Sequence, residues 1–277
     1  MKALFCLILP SILTFGYGRP NFDDQKVLEN IIEQAVKLEV VKKADGTTQY
    51  FEPLELSPYI GSGWGVVYHE NQKVSRLLQF KGGIESGFAI KWYENGQKQV
   101  EGNFKNGNPD GLLKEWYDNG EIRTEANFKD GKLDGLFITW YENGQKQEEL
   151  NFKDGKVDGL ANSWYENGQK QEELNFKDGK VDGLATEWYE NGQKKQEGDY
   201  KNGLQEGLAT IWYENGKKNR EINYKVGLFT SVNVWKPNGE KCPDTDIKDG
   251  NGVGFLYKQD GSKSGRFTIK NGKQVEE

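Results

Sequence analysis

Carboxylates are the most frequent side chains in this sequence that could perform chemistry. Glu166, Glu172 and Glu173 lie close together along the chain, and two carboxylates at a suitable separation can act as acid and base in glycoside hydrolysis. Similar acidic residues recur in every segment of the repeat described below, whereas a catalytic pair should occur once. We interpret them as solvent-exposed residues with lysine neighbours, and we predict that the protein is not an enzyme.

Other reactive side chains are too few to build a catalytic or metal centre. His69 is the only histidine, and the cysteines are Cys6 and Cys242, so neither a zinc site nor a Cys–His nucleophile pair can be assembled. His69 stands where most segments have tyrosine, which indicates a repeat variant. Loops such as 154–159 are similar to calcium loops, but they lack the Asp-x-Asp-x-Asp spacing and the later glutamate. We expect turns there, and no metal or cofactor.

A ladder of Trp-Tyr pairs is the best candidate for a binding site. Exposed rings would suit sugars, choline-like cations or a partner strand, whereas buried rings would form the core. The sequence leaves open whether these residues bind a partner or form the core. They are Trp92, Tyr93, Trp116, Tyr117, Trp140, Tyr141, Trp164, Tyr165, Trp188, Tyr189, Trp212 and Tyr213.

An internal repeat must position these aromatic residues. The anchor aromatic recurs every 24 residues from Tyr68 to Trp212, and Trp235 and Tyr257 continue the series at intervals of 23 and 22. The segments 140–161 and 164–185 are identical in sequence, which indicates tandem duplication. We therefore predict nine units within residues 59–277, the last two of them short, that stack because one unit cannot bury enough surface alone.

Each unit has the signals of a β-hairpin. The Asn143-Gly144 pair is typical of a hairpin turn because both residues tolerate a positive φ, and Asp154-Gly155 turns the chain into the next unit. Antiparallel strands are expected over 160–165 and 169–176. The predicted fold class is all-β, an elongated antiparallel sheet or solenoid of tandem 24-residue β-hairpin repeats.

The two faces of this sheet cannot be assigned from the sequence. A two-residue turn at Asn191-Gly192 would place Trp188 on the same face as Glu197. A three-residue loop with a bulge would place Trp188 with Gly198 and Tyr200 instead. A slip of one residue exchanges the faces, and both alternatives remain open.

The amino-terminal residues resemble an export signal, and we expect the residues after it to form a cap. Lys2 precedes an apolar run over 3–15 and then Gly16-Tyr17-Gly18, the pattern of a signal peptide over 1–18 that is cleaved after Gly18. A secreted, periplasmic or cell-envelope protein is expected. Residues 19–58 should form the cap, with an amphipathic helix over 21–39, a hairpin over 40–51 that turns at Asp45-Gly46, and a linker over 53–58.

Composition and charge exclude several classes of protein. The 35 glycines argue against a helical bundle, and an aromatic content of 13% argues against a disordered tract. The formal net charge of −6 disfavours nucleic acid and anionic membrane surfaces as partners. The amphipathic helix has no basic excess on its polar face, so we expect it to cap the sheet rather than to bind a membrane.

The repeat motif resembles a known family. Gly-Leu-x-x-x-Trp-Tyr-Glu-Asn-Gly followed by Phe-Lys-Asp-Gly-Lys-x-Asp-Gly is similar to the variant MORN repeat of bacterial YwqK-type antitoxin proteins, over about residues 59–272. The sequence departs from the pattern at Gln72, which replaces the turn glycine, and at Val226. The resemblance implies side-by-side β-hairpins and binding of proteins or, in eukaryotic relatives, lipids.

These observations predict an exported, non-catalytic scaffold that binds another macromolecule, preferably a protein, through an extended β surface. Two alternatives remain: an antitoxin-like neutraliser of a protein toxin, and a cell-wall or glycan-binding aromatic repeat module. The export signal departs from what a cytoplasmic antitoxin would have.

Overall fold

The computed structural model describes residues 21–42, 48–51 and 60–275. This part of the chain contains one helix and 23 strands, so the predicted all-β class, an open and elongated antiparallel sheet with a short helix, is confirmed. The signal peptide predicted over 1–18, the turn at Asp45-Gly46 and the linker over 53–58 lie outside the described residues.

The helix is α1 (Gln25–Gln34). The strands, in chain order, are β1 (Val36–Lys37), β2 (Glu39–Lys42), β3 (Thr48–Phe51), β4 (Gly63–Tyr68), β5 (Val74–Lys81), β6 (Ile84–Trp92), β7 (Lys98–Lys105), β8 (Asn108–Trp116), β9 (Ile122–Lys129), β10 (Lys132–Trp140), β11 (Lys146–Lys153), β12 (Lys156–Val157), β13 (Gly159–Trp164), β14 (Lys170–Lys177), β15 (Lys180–Trp188), β16 (Lys194–Lys201), β17 (Leu204–Trp212), β18 (Lys218–Lys225), β19 (Leu228–Val234), β20 (Asp246–Lys248), β21 (Asn251–Tyr257), β22 (Lys263–Lys270) and β23 (Lys273–Val275).

Strands that are neighbours in sequence are neighbours in the main sheet. From β4 to β23 each pairs antiparallel with the next, apart from β12 and β13, which both pair with β11. β1 joins β4 in parallel, and β2 and β3 form a separate hairpin. At a strand spacing of about 4.8 Å, this ladder extends about 90 Å before twist is considered.

The helix is shorter than the sequence predicts. Asp24 is its N-cap, accepting hydrogen bonds from the backbone N–H groups of Lys26 at 2.9 Å and Val27 at 3.4 Å. The expected extension to residue 39 is wrong, because the chain becomes extended at Ala35 and pairs with β4. The Leu38 N–H donates to the Val66 carbonyl at 2.8 Å, so the sheet supplies the bonds that further helix would have made.

Packed cores lie at the two ends of the sheet. At the amino-terminal end, α1 covers one face through Ile31, which clusters with Val66 and Phe88. Leu38 and Tyr50 cover the opposite face of the same strands. The carboxyl-terminal core contains Ile222, Val232, Val234, Cys242, Ile247, Tyr257, Phe267 and Ile269. Between these ends, the described residues form a single sheet layer.

Two irregularities in each unit, a three-residue loop and a β-bulge, determine which side chains lie on each face of the sheet. The loop after Trp188 has three residues, because Tyr189 donates to the Gln193 carbonyl and Gly192 donates to the Tyr189 carbonyl, both at 2.8 Å. The pairing then shifts once more between Glu187 and Trp188, which leaves Lys195 as an extra residue. The loop is therefore the longer of the two predicted alternatives. The second bulge offsets it, so Trp188 lies on the face of Glu197 as the shorter turn would have placed it.

Candidate functional site

One side of the central sheet, here called the Trp face, presents tryptophan, lysine and glutamate. In β13 and β14 the pairs Leu160–Asn175, Asn162–Glu173 and Trp164–Lys170 lie on this side. The Trp rings at positions 116, 140, 164, 188 and 212 are half-buried, whereas Trp92, beneath α1, is only 8% exposed. The tryptophans are therefore neither a closed core nor fully exposed platforms.

Lysines cover most of these rings. The ammonium of Lys146 lies 5.7 Å from the Trp164 ring centroid, and Lys170 lies 5.6 Å from that of Trp188. Each of these lysines also pairs with the glutamate three residues later, in Lys146–Glu149 and Lys170–Glu173. Lys98, Lys194 and Lys218 repeat both contacts. The charges of the Trp face are thus largely matched within the chain.

The tyrosines that follow the tryptophans link successive units. The Tyr165 hydroxyl donates to the Trp188 carbonyl at 2.8 Å, and the same bond starts from Tyr93, Tyr117, Tyr141, Tyr189 and Tyr213. His69 takes the tyrosine position, with Nε2 3.0 Å from the Trp92 carbonyl oxygen. Because a carbonyl only accepts, Nε2 carries the proton. His69 is a structural substitute for tyrosine, as its place in the repeat suggests.

The turns at both edges of the sheet are also joined between units. At one edge the Asn167 amide donates to the Glu190 carbonyl at 3.0 Å. At the other, the Asp158 carboxylate accepts from the Asp178 N–H at 2.9 Å, and Asp134 and Asp182 act likewise.

Asp154, at φ +51°, begins a two-residue turn, so the calcium-like loops serve as turns. Among the described residues, no cluster of three or more acidic, histidine or cysteine side chains could hold a metal ion.

The opposite side, here called the Phe face, was not singled out by sequence reasoning. It carries the pairs Gly159–Phe176, Ala161–Leu174 and Ser163–Glu172. Its central apolar residues are half-buried: Leu113, Phe128, Leu133, Phe137, Leu150, Phe152, Val157, Leu174, Phe176 and Val181. Phe137 and Phe152 meet edge to face at 5.8 Å. The alternation of Leu174 and Phe176 with Glu173 and Asn175 was the signal that could have revealed this face.

A row of polar side chains crosses the Phe face. The register places Glu148 opposite Ser163, Ser163 opposite Glu172, and Glu172 opposite Glu187. Burial, and then the facing carboxylate of Glu187, raise the pKa of Glu172 above its usual value, although Lys195 acts in the other direction. Lys195 is paired with Glu187 at 3.0 Å. The charges of this face are therefore less well matched than those of the Trp face.

We expect removal of the two adjacent carboxylates, one on each face, to have opposite effects on the stability of the protein. Glu172→Gln should stabilise the protein by up to about 0.5 kcal/mol at pH 7, because it removes a like-charge pair. Glu173→Gln should destabilise it by a similar amount, because Lys170 loses its partner. Urea unfolding of both variants at several pH values measures this difference.

The pH dependence of the Glu172 effect follows from its raised pKa. The folded state holds the proton more tightly than the unfolded chain, so the cost of ionisation appears as the pH rises above the ordinary value of 4.5. The gain from Glu172→Gln should therefore vanish below about pH 4. A constant gain at every pH would contradict this explanation.

Comparison with known proteins supports the repeat assignment. The family model for the MORN repeat variant matches residues 89–106, 109–130, 133–154, 157–178, 181–202 and 205–225. No curated protein matches the chain. Repeats of this family act as scaffolds, often in binding, and are generally not catalytic. No helix within the described ranges has the length and hydropathy to cross a bilayer. Residues 89–225 therefore contain six tandem repeats that match the MORN repeat variant.

Proposed function

We propose that the protein is an exported, non-catalytic scaffold that binds a protein partner on the Phe face. The observation that carries this proposal is the row of half-buried apolar residues between the two covered ends of the sheet. Apolar surface of this kind is favoured for burial against another macromolecule. Within the described residues, a single layer of sheet leaves this surface accessible along several consecutive units.

The Trp face is the weaker candidate for binding. A sugar or choline-like cation would need the space over a tryptophan ring, and for Trp164 and Trp188 a lysine ammonium of the preceding unit already lies there. The tyrosine hydroxyls are engaged with backbone carbonyls. These contacts favour a structural role for the Trp-Tyr pairs, and they favour a protein partner over a glycan or cell-wall polymer.

A matched pair of Leu→Lys variants tests which face binds. Leu174 lies on the Phe face, and Leu184, which is 44% exposed, lies on the Trp face. Leu174→Lys should reduce capture of an envelope protein at least tenfold because a charge enters the apolar contact, whereas Leu184→Lys should leave capture unchanged. Quantitative affinity capture measures this, with circular dichroism to establish that both variants fold and a glycan array for the competing ligand. Equal capture by the two variants would contradict the proposal.

Export rests on the amino-terminal pattern of a short apolar run followed by small residues. Sequencing of the secreted or envelope-associated protein should find an amino terminus near Arg19. A cytoplasmic product that retains Met1 would contradict export and would favour a cytoplasmic antitoxin-like neutraliser of a protein toxin.

A further inference from the structure

The polar row on the Phe face contains two carboxylates with no ion-pair partner in the described part of the chain. Glu148 and Glu172 lie on either side of Ser163, in the register Glu148–Ser163–Glu172. Two strand spacings separate them by about 10 Å. Lys195, the basic group that acts on Glu172, is already paired with Glu187 at 3.0 Å.

The carboxylates on the Trp face of the same strands, in contrast, have ion-pair partners. Glu149 and Glu173 are the sequence neighbours of Glu148 and Glu172 and project to the opposite side of the sheet. Each is paired with a lysine of its own strand, Lys146 and Lys170 respectively. The same strands therefore neutralise their carboxylates on one face and leave them unneutralised on the other.

The space between the two carboxylates is shaped for a side chain. A hollow of about 200 Å³ lies there, and its apolar lining includes Leu150, Ala161, Leu174 and Phe176. Ser163 also lines the hollow, and its hydroxyl oxygen is buried without a hydrogen-bond partner among the described residues. An unpaired buried hydroxyl is costly, so a donor brought by a ligand would gain from meeting it.

An apolar lining beside two carboxylates is suited to a cationic group at the end of an aliphatic chain. The apolar lining suits methylene groups, while the carboxylates and the hydroxyl offer acceptors for an ammonium or guanidinium head. Lysine and arginine are the protein side chains with this construction. An anionic membrane is disfavoured by the acidic charges and by the net charge of −6.

We propose that the hollow between Glu148 and Glu172 receives a lysine or arginine side chain from an extended, basic and apolar segment of the partner protein. This inference rests on the proposed function, because it names the chemistry of the partner that binds the Phe face. The apolar residues of the segment would lie on neighbouring Phe-face side chains such as Phe152 and Val181.

The test uses a fluorescein-labelled peptide of alternating lysine and valine as the probe, with glutamate–valine and serine–valine peptides of the same length as controls. At 150 mM salt, fluorescence anisotropy should detect binding of the lysine–valine peptide to the full-length protein and at least tenfold weaker binding of the other two. The Glu148→Gln/Glu172→Gln variant should lose at least tenfold in affinity for the lysine–valine peptide.

The control variant is Glu149→Gln/Glu173→Gln, which removes the same charge from the opposite face and should keep the wild-type affinity. Unfolding curves establish that both double variants are folded. Equal loss in the two double variants would overturn the proposal, because it would show only non-specific attraction to an acidic protein. Failure of the wild-type protein to bind the lysine–valine peptide would also overturn it.

Failure of this inference can be distinguished from failure of the proposed function. If Leu174→Lys abolishes capture of the envelope partner while Glu148→Gln/Glu172→Gln does not, the Phe face binds a protein without the cation contact. The inference is then overturned and the proposed function stands. If both Leu174→Lys and the double variant capture the partner normally, both are overturned.

Discussion

Replacing Gly252 by alanine is expected to disrupt the carboxyl-terminal end of the sheet, at a cost of about 3 kcal/mol or more. Gly252 has φ +140°, a backbone conformation that residues other than glycine rarely adopt. A Cβ there would lie 1.9 Å from the Asp246 carbonyl oxygen. The Cβ would clash with the backbone of β20, so β20 and β21 would have to separate to remove the clash.

The consequence should reach the carboxyl-terminal core. Gly252 pairs with Ile247, which is 3% exposed and clusters with Cys242. Separation of the strands should expose the Cys242 thiol, which is also 3% exposed. Urea unfolding measures the loss of stability, and mass spectrometry after iodoacetamide treatment measures alkylation of Cys242.

Gly265→Ala is the control for Gly252→Ala. Gly265 lies on β22, the next strand of the same hairpin, and a Cβ there would meet no atom within 4 Å. This variant should change stability by less than about 0.5 kcal/mol and leave Cys242 protected. An unchanged unfolding midpoint and a protected thiol in Gly252→Ala would show that β20 yields without cost, contrary to the expectation.

The hairpin architecture was predictable because its signals are local and repeated. Pairs such as Asn143-Gly144 and Asp154-Gly155 specify turns through glycine and asparagine or aspartate conformations that few other residues adopt. Their recurrence fixes the strand order, since short connections force neighbouring strands to pair. The helix boundary was less predictable, because pairing of Val36 with Gly65 is a contact between distant residues.

The faces of the sheet were not predictable because they depend on two bulges that offset each other. The three-residue loop has a recognisable glycine, Gly192, but the extra residue at Lys195 has no distinctive sequence signal. A single miscounted bulge exchanges the two faces. The alternation in β14 could show that one side is apolar, but placing Trp188 relative to that side required both bulges to be known.

The sequence raised the question of whether the Trp-Tyr pairs bind a partner or form the core, but it could not answer it. Trp164 and Tyr165 are prominent by type and spacing, yet their partners are a lysine side chain and a carbonyl of different units. Small and variable residues such as Ala161 and Gly198 mark the Phe face instead. These residues are inconspicuous in sequence, because they make room for a neighbour rather than supplying a reactive group.

The two faces divide structural and binding roles between them in this proposal. On the Trp face, Lys170 contacts both Trp188 and Glu173, so two successive units share one set of contacts. Such coupling between neighbours is what holds a repeat protein together. The proposal assigns the partner to the half-buried apolar side chains of the Phe face.

Trp92→Ala should cost about 4 kcal/mol, within the range for loss of a fully buried tryptophan. Trp92 is 8% exposed and clusters with Ile31 of α1, Phe88 and Val66. Removal of the indole leaves a cavity under the helix that the rigid sheet cannot close. The unfolding midpoint in urea, followed by circular dichroism because tryptophan fluorescence itself changes, measures the loss.

Trp164→Ala removes the same residue type from the same position of a central unit and should cost only about 2 kcal/mol. Its ring is half-buried and covered by Lys146 at 5.7 Å, so solvent can enter the vacated space. Equal losses in the two variants would show that burial under α1 adds nothing to the Trp92 contact. If Trp164→Ala leaves stability unchanged but abolishes capture of the envelope partner, the Trp face is the binding surface. The assignment of binding to the Phe face would then be wrong.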